Sequence, residues 1–185
     1  QGISPAASYF SVAGSKDMGF SLAGRRAGST YGVSQGNTMS DSDLIKLYST
    51  RILGLAADIP HLGRLTAPQA SARRRSPLCG STVTADVVVQ DGRIAEFAQD
   101  VKACALGQAS AAVLGQVVIG RTLPELHTAR DALHAMLKDG GPVPLAPFQG
   151  YEVLLPARDY KNRHASILLA LEAVVEAMEA AQAAA

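Results

Sequence analysis

The chain has 185 residues, which fits one domain with an appendage, and 48% of them are apolar, the usual share for a globular protein. A formal net charge of +1 gives it no electrostatic preference for nucleic acid or for an acidic membrane surface. The absence of Trp and an aromatic content of 5% argue against the stacking platforms of RNA-binding domains. No apolar run approaches the roughly 18 residues that a membrane-spanning helix requires.

The cysteine content narrows the possible chemistry. Cys79 and Cys104 are the two cysteines of the chain. A small secreted protein carries a denser, even set of cysteines that form disulfides. In a reducing compartment, two cysteines more often form a metal site or serve as reactive thiols.

Residues 1–38 differ in composition from the rest of the chain. They are rich in Gly, Ser and Ala and show neither a helical nor a strand period. We therefore predict a leader over 1–38, non-native or flexible, and one folded domain over 39–185. Two origins of the leader fit its composition. A tag remnant or upstream translation is favoured because Gln1 and Gly2 resemble the end of a tag-protease site, and a transit peptide is the alternative.

Hydrophobic periodicity predicts a helix, three strands and then further helices. Asp91-Gly92 is typical of a two-residue hairpin turn, and Thr122 with Glu125 forms a capping box. The predicted elements are a helix over 43–57, strands over 70–76, 81–90 and 93–101, and helices over 105–119, 122–138 and 162–178, with a loop over 142–150 and a frayed end over 180–185. This order predicts an α+β fold, a small antiparallel three-stranded sheet with helices packed on one face.

Three side chains with suitable chemistry fall at the ends of predicted elements, where functional groups concentrate. Cys79 lies in a turn before a strand, Cys104 opens a helix, and His164 lies in the first turn of the last helix. A helix N-terminus favours a thiolate, as does a nearby cation such as Lys102. Two thiolates and one imidazole suit zinc or an iron–sulfur cluster and do not suit magnesium or calcium.

Plainer interpretations of the same residues stay open at this point. A free cysteine taken alone is more often a small buried apolar group, and a histidine at a helix start is more often a surface or capping residue. The spacing of Cys79, Cys104 and His164 matches no standard zinc finger. The residues therefore indicate a three-ligand site without establishing it.

Two segments resemble a known family. Ser-Pro-Leu-Cys-Gly at 76–80, the strand hairpin, and Ala-Cys-Ala-Leu-Gly-Gln-Ala-Ser at 103–110 resemble the U-type iron–sulfur cluster scaffolds, namely IscU, SufU and the N-terminal domain of NifU. Leu-Tyr-Ser at 47–49 also matches. The resemblance extends over about 43–178, and the region 122–158 is most similar to the SufU branch. The family pattern is a first cysteine followed by glycine, a second cysteine that opens a small-residue helix, and a third that opens the last helix.

The sequence departs from this pattern at two positions, and the stretch between Pro156 and the third-cysteine position is a few residues longer than usual. The family has Asp two residues after the first cysteine, where this chain has Ser81. The position of the third cysteine falls in the segment 163–166 and is interpreted as His164. The missing carboxylate affects cluster release and the fourth zinc ligand, and the missing thiol affects any sulfur acceptance at the third position.

The resemblance implies an iron–sulfur cluster assembly protein, a carrier and not an enzyme. It implies that Cys79 accepts sulfur and that Cys79, Cys104 and His164 bind iron, zinc or a 2Fe-2S cluster, with Ser81, Lys102 and Arg163 in support. The implied partners are a pyridoxal-phosphate cysteine desulfurase and apo iron–sulfur recipient proteins, in the bacterial cytoplasm or, alternatively, the mitochondrial matrix. Two other functions stay open, a degenerate interaction subunit without a cluster and a regulatory zinc protein.

Overall fold

A computed structural model of the chain describes Ser42 and residues 48–184. The predicted leader and residues 43–47 of the first predicted helix lie outside this part. The described elements, in chain order, are helix α1 (Thr50–Ala57), strands β1 (Ala70–Arg75), β2 (Thr82–Gln90) and β3 (Arg93–Lys102), helices α2 (Ala105–Gly115) and α3 (Leu123–Lys138), a 3₁₀ helix (Phe148–Asp159) and helix α4 (Lys161–Ala183). None of the described helices combines the length and the apolar character needed to span a membrane.

The three strands form one antiparallel sheet in the order β1–β2–β3. The predicted hairpin joins β2 to β3, and Asp91 and Gly92 both have positive φ angles, 50° and 72°, as a type I′ turn requires. Val83, Ala85 and Val87 of β2 are buried on one face, the alternation expected of a strand whose face covers a core. The predicted α+β fold and its three-stranded sheet are confirmed.

Helix α4 is the central element of the helical layer. It packs against β1 and β2, and it also contacts α2 and α3. Because it is enclosed on several sides, its buried residues do not follow a single stripe. The helix continues to Ala183, through the segment predicted to fray, and Ala181 in that segment is buried.

Helix α2 ends earlier than its periodicity predicts. We expect a helix to Ile119, but α2 ends at Gly115, and the chain continues in a turn in which the Val117 N–H donates to the Leu114 carbonyl. Val118, in this turn, is fully buried. The apolar pattern therefore persists beyond the helix because the turn also packs on the core, and periodicity does not distinguish the two.

The segment before α4 forms a 3₁₀ helix where the sequence pattern predicts a loop to residue 150 and no element beyond it. Phe148, Tyr151, Leu154 and Ala157 are buried and recur at every third position. This spacing matches the three residues per turn of a 3₁₀ helix. It matches neither the 3.6-residue period of an α-helix nor the 2-residue period of a strand, so the sequence pattern does not predict it.

The sheet face opposite the core carries a buried carboxylate. Asp86 of β2 accepts two hydrogen bonds from the Arg64 guanidinium, at 2.7 and 2.9 Å, and one each from the Leu65 N–H and the Ser71 hydroxyl, at 3.0 and 2.6 Å. Burial opposes ionisation, but these bonds outweigh it and hold the pKa of Asp86 below the usual carboxyl value. The network fastens the chain before β1 onto the sheet.

Candidate functional site

The strand register places both cysteines at one end of the sheet. Arg75 pairs with Thr82, and Thr82 pairs with Lys102, so β1 and β3 end where β2 begins. Cys79 lies in the connection between β1 and β2, and Cys104 follows β3 as the N-cap residue of α2. Two residues that are distant in sequence therefore approach each other because of the antiparallel register.

A tight turn presents Cys79. The Gly80 N–H donates to the Ser76 carbonyl at 3.2 Å, and the Ser76 N–H donates to the Ser81 carbonyl at 2.9 Å. Gly80 has a φ of +68°, a left-handed conformation that glycine adopts without a steric penalty. The turn leaves Cys79 exposed, whereas the two serines that close it are buried.

Serine hydroxyls surround the Cys79 sulfur. Its Sγ lies 3.2 Å from the Ser76 Oγ and 3.0 Å from the Ser81 Oγ. Burial is the largest single effect on the pKa of Cys79 and raises it, but hydrogen bonding with the Ser76 and Ser81 hydroxyls and the Ser81 N–H outweighs burial, and nearby Ser166 lowers the pKa slightly further. The pKa of Cys79 is lowered to about 7, so a large fraction is the nucleophilic thiolate at neutral pH.

Ser166 of α4 connects the two cysteines. Its hydroxyl oxygen lies 3.4 Å from the Cys104 Sγ and 3.2 Å from the Ser81 Oγ, and its side chain is buried. Polar contacts thus run from Cys79 through Ser81 and Ser166 to Cys104. One buried hydroxyl adjoins both sulfur environments and links the turn, the sheet and α4.

Gly107 permits Ser166 to occupy this position. A Cβ on Gly107 would lie 2.7 Å from the Ser166 Oγ, 2.8 Å from the Ala103 Cβ and 3.0 Å from the Ser166 carbonyl oxygen. Distances below 3.0 Å would force one of these groups to move. Helices α2 and α4 therefore approach as closely as they do only because residue 107 has no side chain.

Two cationic side chains complete the site. Cys79, Ser81, Lys102, Cys104 and Arg163 all line one shallow depression of about 290 Å³. The structure thus brings together the two predicted thiols and the three predicted supporting residues. A positive rim around a thiolate favours anionic sulfur species at this position.

His164, the third predicted ligand, faces a different group of atoms. Its ring is buried, and its Nε2 lies 3.0 Å from the carbonyl oxygens of both Ala157 and Arg158. Because carbonyls only accept hydrogen bonds, Nε2 carries the proton, and Nδ1 is the nitrogen left for a metal. In the described part of the chain, no three His, Cys, Asp or Glu side chains form a potential metal-binding group. The ligand role of His164 stays a prediction.

Three contributors to the site are not predicted from the sequence: Ser76, Ser166 and Gly107. Ser76 and Ser81 flank Cys79 within one short turn, so a local search for hydroxyls around the cysteine identifies both. The contact between Gly107 and Ser166 joins two helices that are distant in sequence. It leaves no local pattern, and only the packing of α2 on α4 reveals it.

Comparisons with known proteins identify the family. The family described as NifU-like N terminal domain matches residues 47–166. The crystal structure of a NifU-like N-terminal protein from Brucella abortus is 45% identical, covers 77% of this chain and 99% of its own, and superposes with a TM-score of 0.75. No curated protein matches the sequence significantly.

Two further crystal structures share the fold at lower identity. A protein from Fervidobacterium islandicum AW-1 is 20% identical over 72% of this chain and 98% of its own, with a TM-score of 0.64. A hypothetical protein is 23% identical over 73% of this chain and 98% of its own, with a TM-score of 0.65. The chain belongs to the NifU-like N-terminal domain family, as its sequence resemblance predicts.

We predict that alkylation of Cys79 by iodoacetamide follows a pH profile with a midpoint near 7. Ser81→Ala should move this midpoint upward by about one pH unit, because a hydrogen bond to a charged group contributes roughly 1.5 kcal/mol. Peptide mass spectrometry measures Cys79 separately from Cys104. Thr84→Ala removes a hydroxyl of β2 that does not contact Cys79 and should leave the midpoint unchanged. An unshifted profile in Ser81→Ala would contradict the assigned role of that hydroxyl.

Proposed function

We propose that the protein is an iron–sulfur cluster assembly protein that accepts sulfur on Cys79 and carries it, with iron, at the Cys79–Cys104 site. One observation carries the proposal: the exposed Cys79 thiol, in contact with two serine hydroxyls, shares a depression lined by cations with a second free cysteine. Family membership supports the same role. The Fervidobacterium protein, which shares the fold, is itself a proposed iron–sulfur cluster assembly scaffold for the SUF system.

The sulfur-accepting step is a thiol–persulfide exchange. The Cys79 thiolate attacks the terminal sulfur of a persulfide on the donor, a cysteine desulfurase. The sulfur–sulfur bond of the donor breaks, the donor cysteine leaves as a thiolate, and Cys79 becomes the persulfide. No net oxidation or reduction occurs. The Ser76 and Ser81 hydroxyls keep Cys79 ionised, while Lys102 and Arg163 attract the anionic sulfur that approaches it.

The two cysteines can supply only part of the ligands of a metal ion or an iron–sulfur cluster. Cys79 and Cys104 supply two thiolates, soft ligands that suit iron, zinc and iron–sulfur clusters. A closed zinc site has four ligands, and a 2Fe-2S cluster usually has four cysteines. The chain's own thiols therefore provide half of either set, and His164, through Nδ1, is the proposed third ligand. Its Nε2–H bond to backbone carbonyls is the orientation common among metal-bound histidines.

The implied partners follow from this chemistry. A pyridoxal-phosphate cysteine desulfurase supplies sulfur, and apo iron–sulfur proteins receive the product. Both thiols must stay reduced to act, which requires a reducing compartment such as the bacterial cytoplasm or the mitochondrial matrix. In this role the protein is a carrier, and its turnover depends on the donor and the recipient.

We predict that a cysteine desulfurase supplied with cysteine transfers one sulfur atom to Cys79 of the intact chain. Mass spectrometry under anaerobic conditions measures the added sulfur and locates it by peptide mapping. Cys79→Ser should abolish the transfer, because a serine hydroxyl is not ionised at neutral pH, whereas Cys104→Ser should still accept sulfur.

Two outcomes of this experiment would contradict the proposal. Transfer to Cys79→Ser at the wild-type level would refute Cys79 as the acceptor. A wild-type chain that takes up neither sulfur nor metal, with its fold intact by circular dichroism, would favour the alternative of an interaction subunit without a cluster.

We also predict that the anaerobically purified protein binds iron or zinc and that Cys79→Ser and Cys104→Ser each lose it, because each removes one of two thiolates. Elemental analysis measures the content. His164→Ala tests the proposed third ligand: loss of metal comparable with that of Cys104→Ser supports it, and unchanged content refutes it. His134→Ala, on the surface of α3, serves as the matched control.

A further inference from the structure

Cys104 lies close to Cys79, the proposed sulfur acceptor. The Ser166 hydroxyl lies 3.4 Å from the Cys104 Sγ and 3.2 Å from the Ser81 Oγ, which itself lies 3.0 Å from the Cys79 Sγ. Two linked hydroxyls thus connect the two sulfur atoms, and both cysteines line the same depression. Cys104 is partly buried, whereas Cys79 is exposed in its turn.

Additional sulfur on Cys79 has space in one direction. The buried hydroxyls of Ser76 and Ser81 contact the inner side of the Cys79 sulfur. The open side is the depression that Lys102 shares with both thiols. The terminal sulfur of a Cys79 persulfide therefore extends into the depression, and the Cys79 Sγ itself stays against the Ser76 and Ser81 hydroxyls.

We propose that Cys104 is a resolving thiol that displaces the sulfur carried by Cys79 as hydrosulfide. This inference rests on the proposed function, since it needs a persulfide on Cys79. The Cys104 thiolate attacks the Cys79 Sγ, a bond forms between the two cysteine sulfurs, and the bond to the terminal sulfur breaks. The terminal sulfur leaves with the bonding electron pair and its proton as HS⁻. The terminal sulfur is thereby reduced to sulfide, and the Cys104 sulfur is oxidised as it joins the disulfide, while the Cys79 Sγ keeps its oxidation state.

The surroundings favour this direction of attack over sulfur transfer between the cysteines. Attack on the terminal sulfur would instead move the persulfide to Cys104 and release no sulfide. The leaving hydrosulfide is an anion released beside Lys102 and Arg163, which line the depression. Lys102 pairs only loosely with the exposed Asp100, at 3.4 Å, so its charge is available to the leaving group.

The cycle closes with an external reductant. A dithiol reduces the Cys79–Cys104 disulfide by thiol–disulfide exchange and is itself oxidised to a disulfide. Both cysteines then return to the reduced form, which accepts sulfur or holds iron. The two-thiol site would thus supply sulfide, the oxidation state that a cluster needs, without a third cysteine.

The test loads the full chain with sulfur and follows where that sulfur goes. Reduced protein is treated anaerobically with inorganic polysulfide, freed of small molecules by gel filtration, and sampled over time for released sulfide and for intact mass. Inorganic polysulfide avoids any dependence on the desulfurase. We expect wild type to release one sulfide for each Cys79–Cys104 disulfide formed, and peptide mapping to find the disulfide-linked pair.

Three variants test the role of each side chain in loading and release. Cys104→Ser should keep the persulfide on Cys79 and release at least tenfold less sulfide over the same period, and Cys79→Ser should neither load nor release. Lys102→Gln should release sulfide more slowly for each persulfide that it carries, because the anionic leaving group loses a neighbouring cation. The linked peptides in wild type do not depend on any variant, so the inference stays testable even if Cys104→Ser is poorly folded.

Each failure has a distinct signature. A wild-type chain that takes up no sulfur on Cys79 overturns the proposed function. A wild-type chain that keeps a stable Cys79 persulfide overturns only the resolving role, as does equal sulfide release from Cys104→Ser. A persulfide found on Cys104 shows transfer between the cysteines and also overturns the resolving role.

Discussion

The close approach of α2 and α4 at Gly107 is the constraint on which the site depends. Ser166 can place its hydroxyl beside Cys104 and Ser81 only because Gly107 presents no Cβ to it. The same two helices are also joined by the Ser110 hydroxyl, which donates to the Ile167 carbonyl at 2.5 Å. The packing of α2 on α4 therefore determines the geometry of the site, and a single methyl group added at Gly107 would change both.

The sheet brings the segments that carry the two cysteines together. Its register brings the β1–β2 turn and the end of β3 together, and the turn then uses two serines to stabilise a thiolate. Where the family pattern has a carboxylate two residues after the first cysteine, this chain has the Ser81 hydroxyl. A hydroxyl donates a hydrogen bond to the thiolate, whereas a carboxylate would repel it. This departure therefore fits a chain in which Cys79 acts as a nucleophile.

Much of the fold and part of the site follow from the sequence. Strand alternation, the Asp91-Gly92 turn and the Thr122 capping box are local patterns, and the structure confirms the elements that they predict. Cys79 and Cys104 are recognisable because their segments carry the family resemblance. Ser166 cannot be recognised in this way, because its role arises from the packing of α4 on α2. The 3₁₀ helix is not predicted because its buried residues recur every three positions. The orientation of His164 depends on that helix, whose carbonyls its ring meets.

The most direct test compares Gly107→Ala with Gly115→Ala by the alkylation rate of Cys79 at pH 7. Both substitutions crowd α2, since the new Cβ meets Ser166 at 2.7 Å in the first and the Pro60 carbonyl oxygen at 3.0 Å in the second. We expect a slower reaction in Gly107→Ala alone, because only that variant displaces the Ser166 hydroxyl from Cys104 and from Ser81, which contacts Cys79. Equal rates in the two folded variants would contradict it.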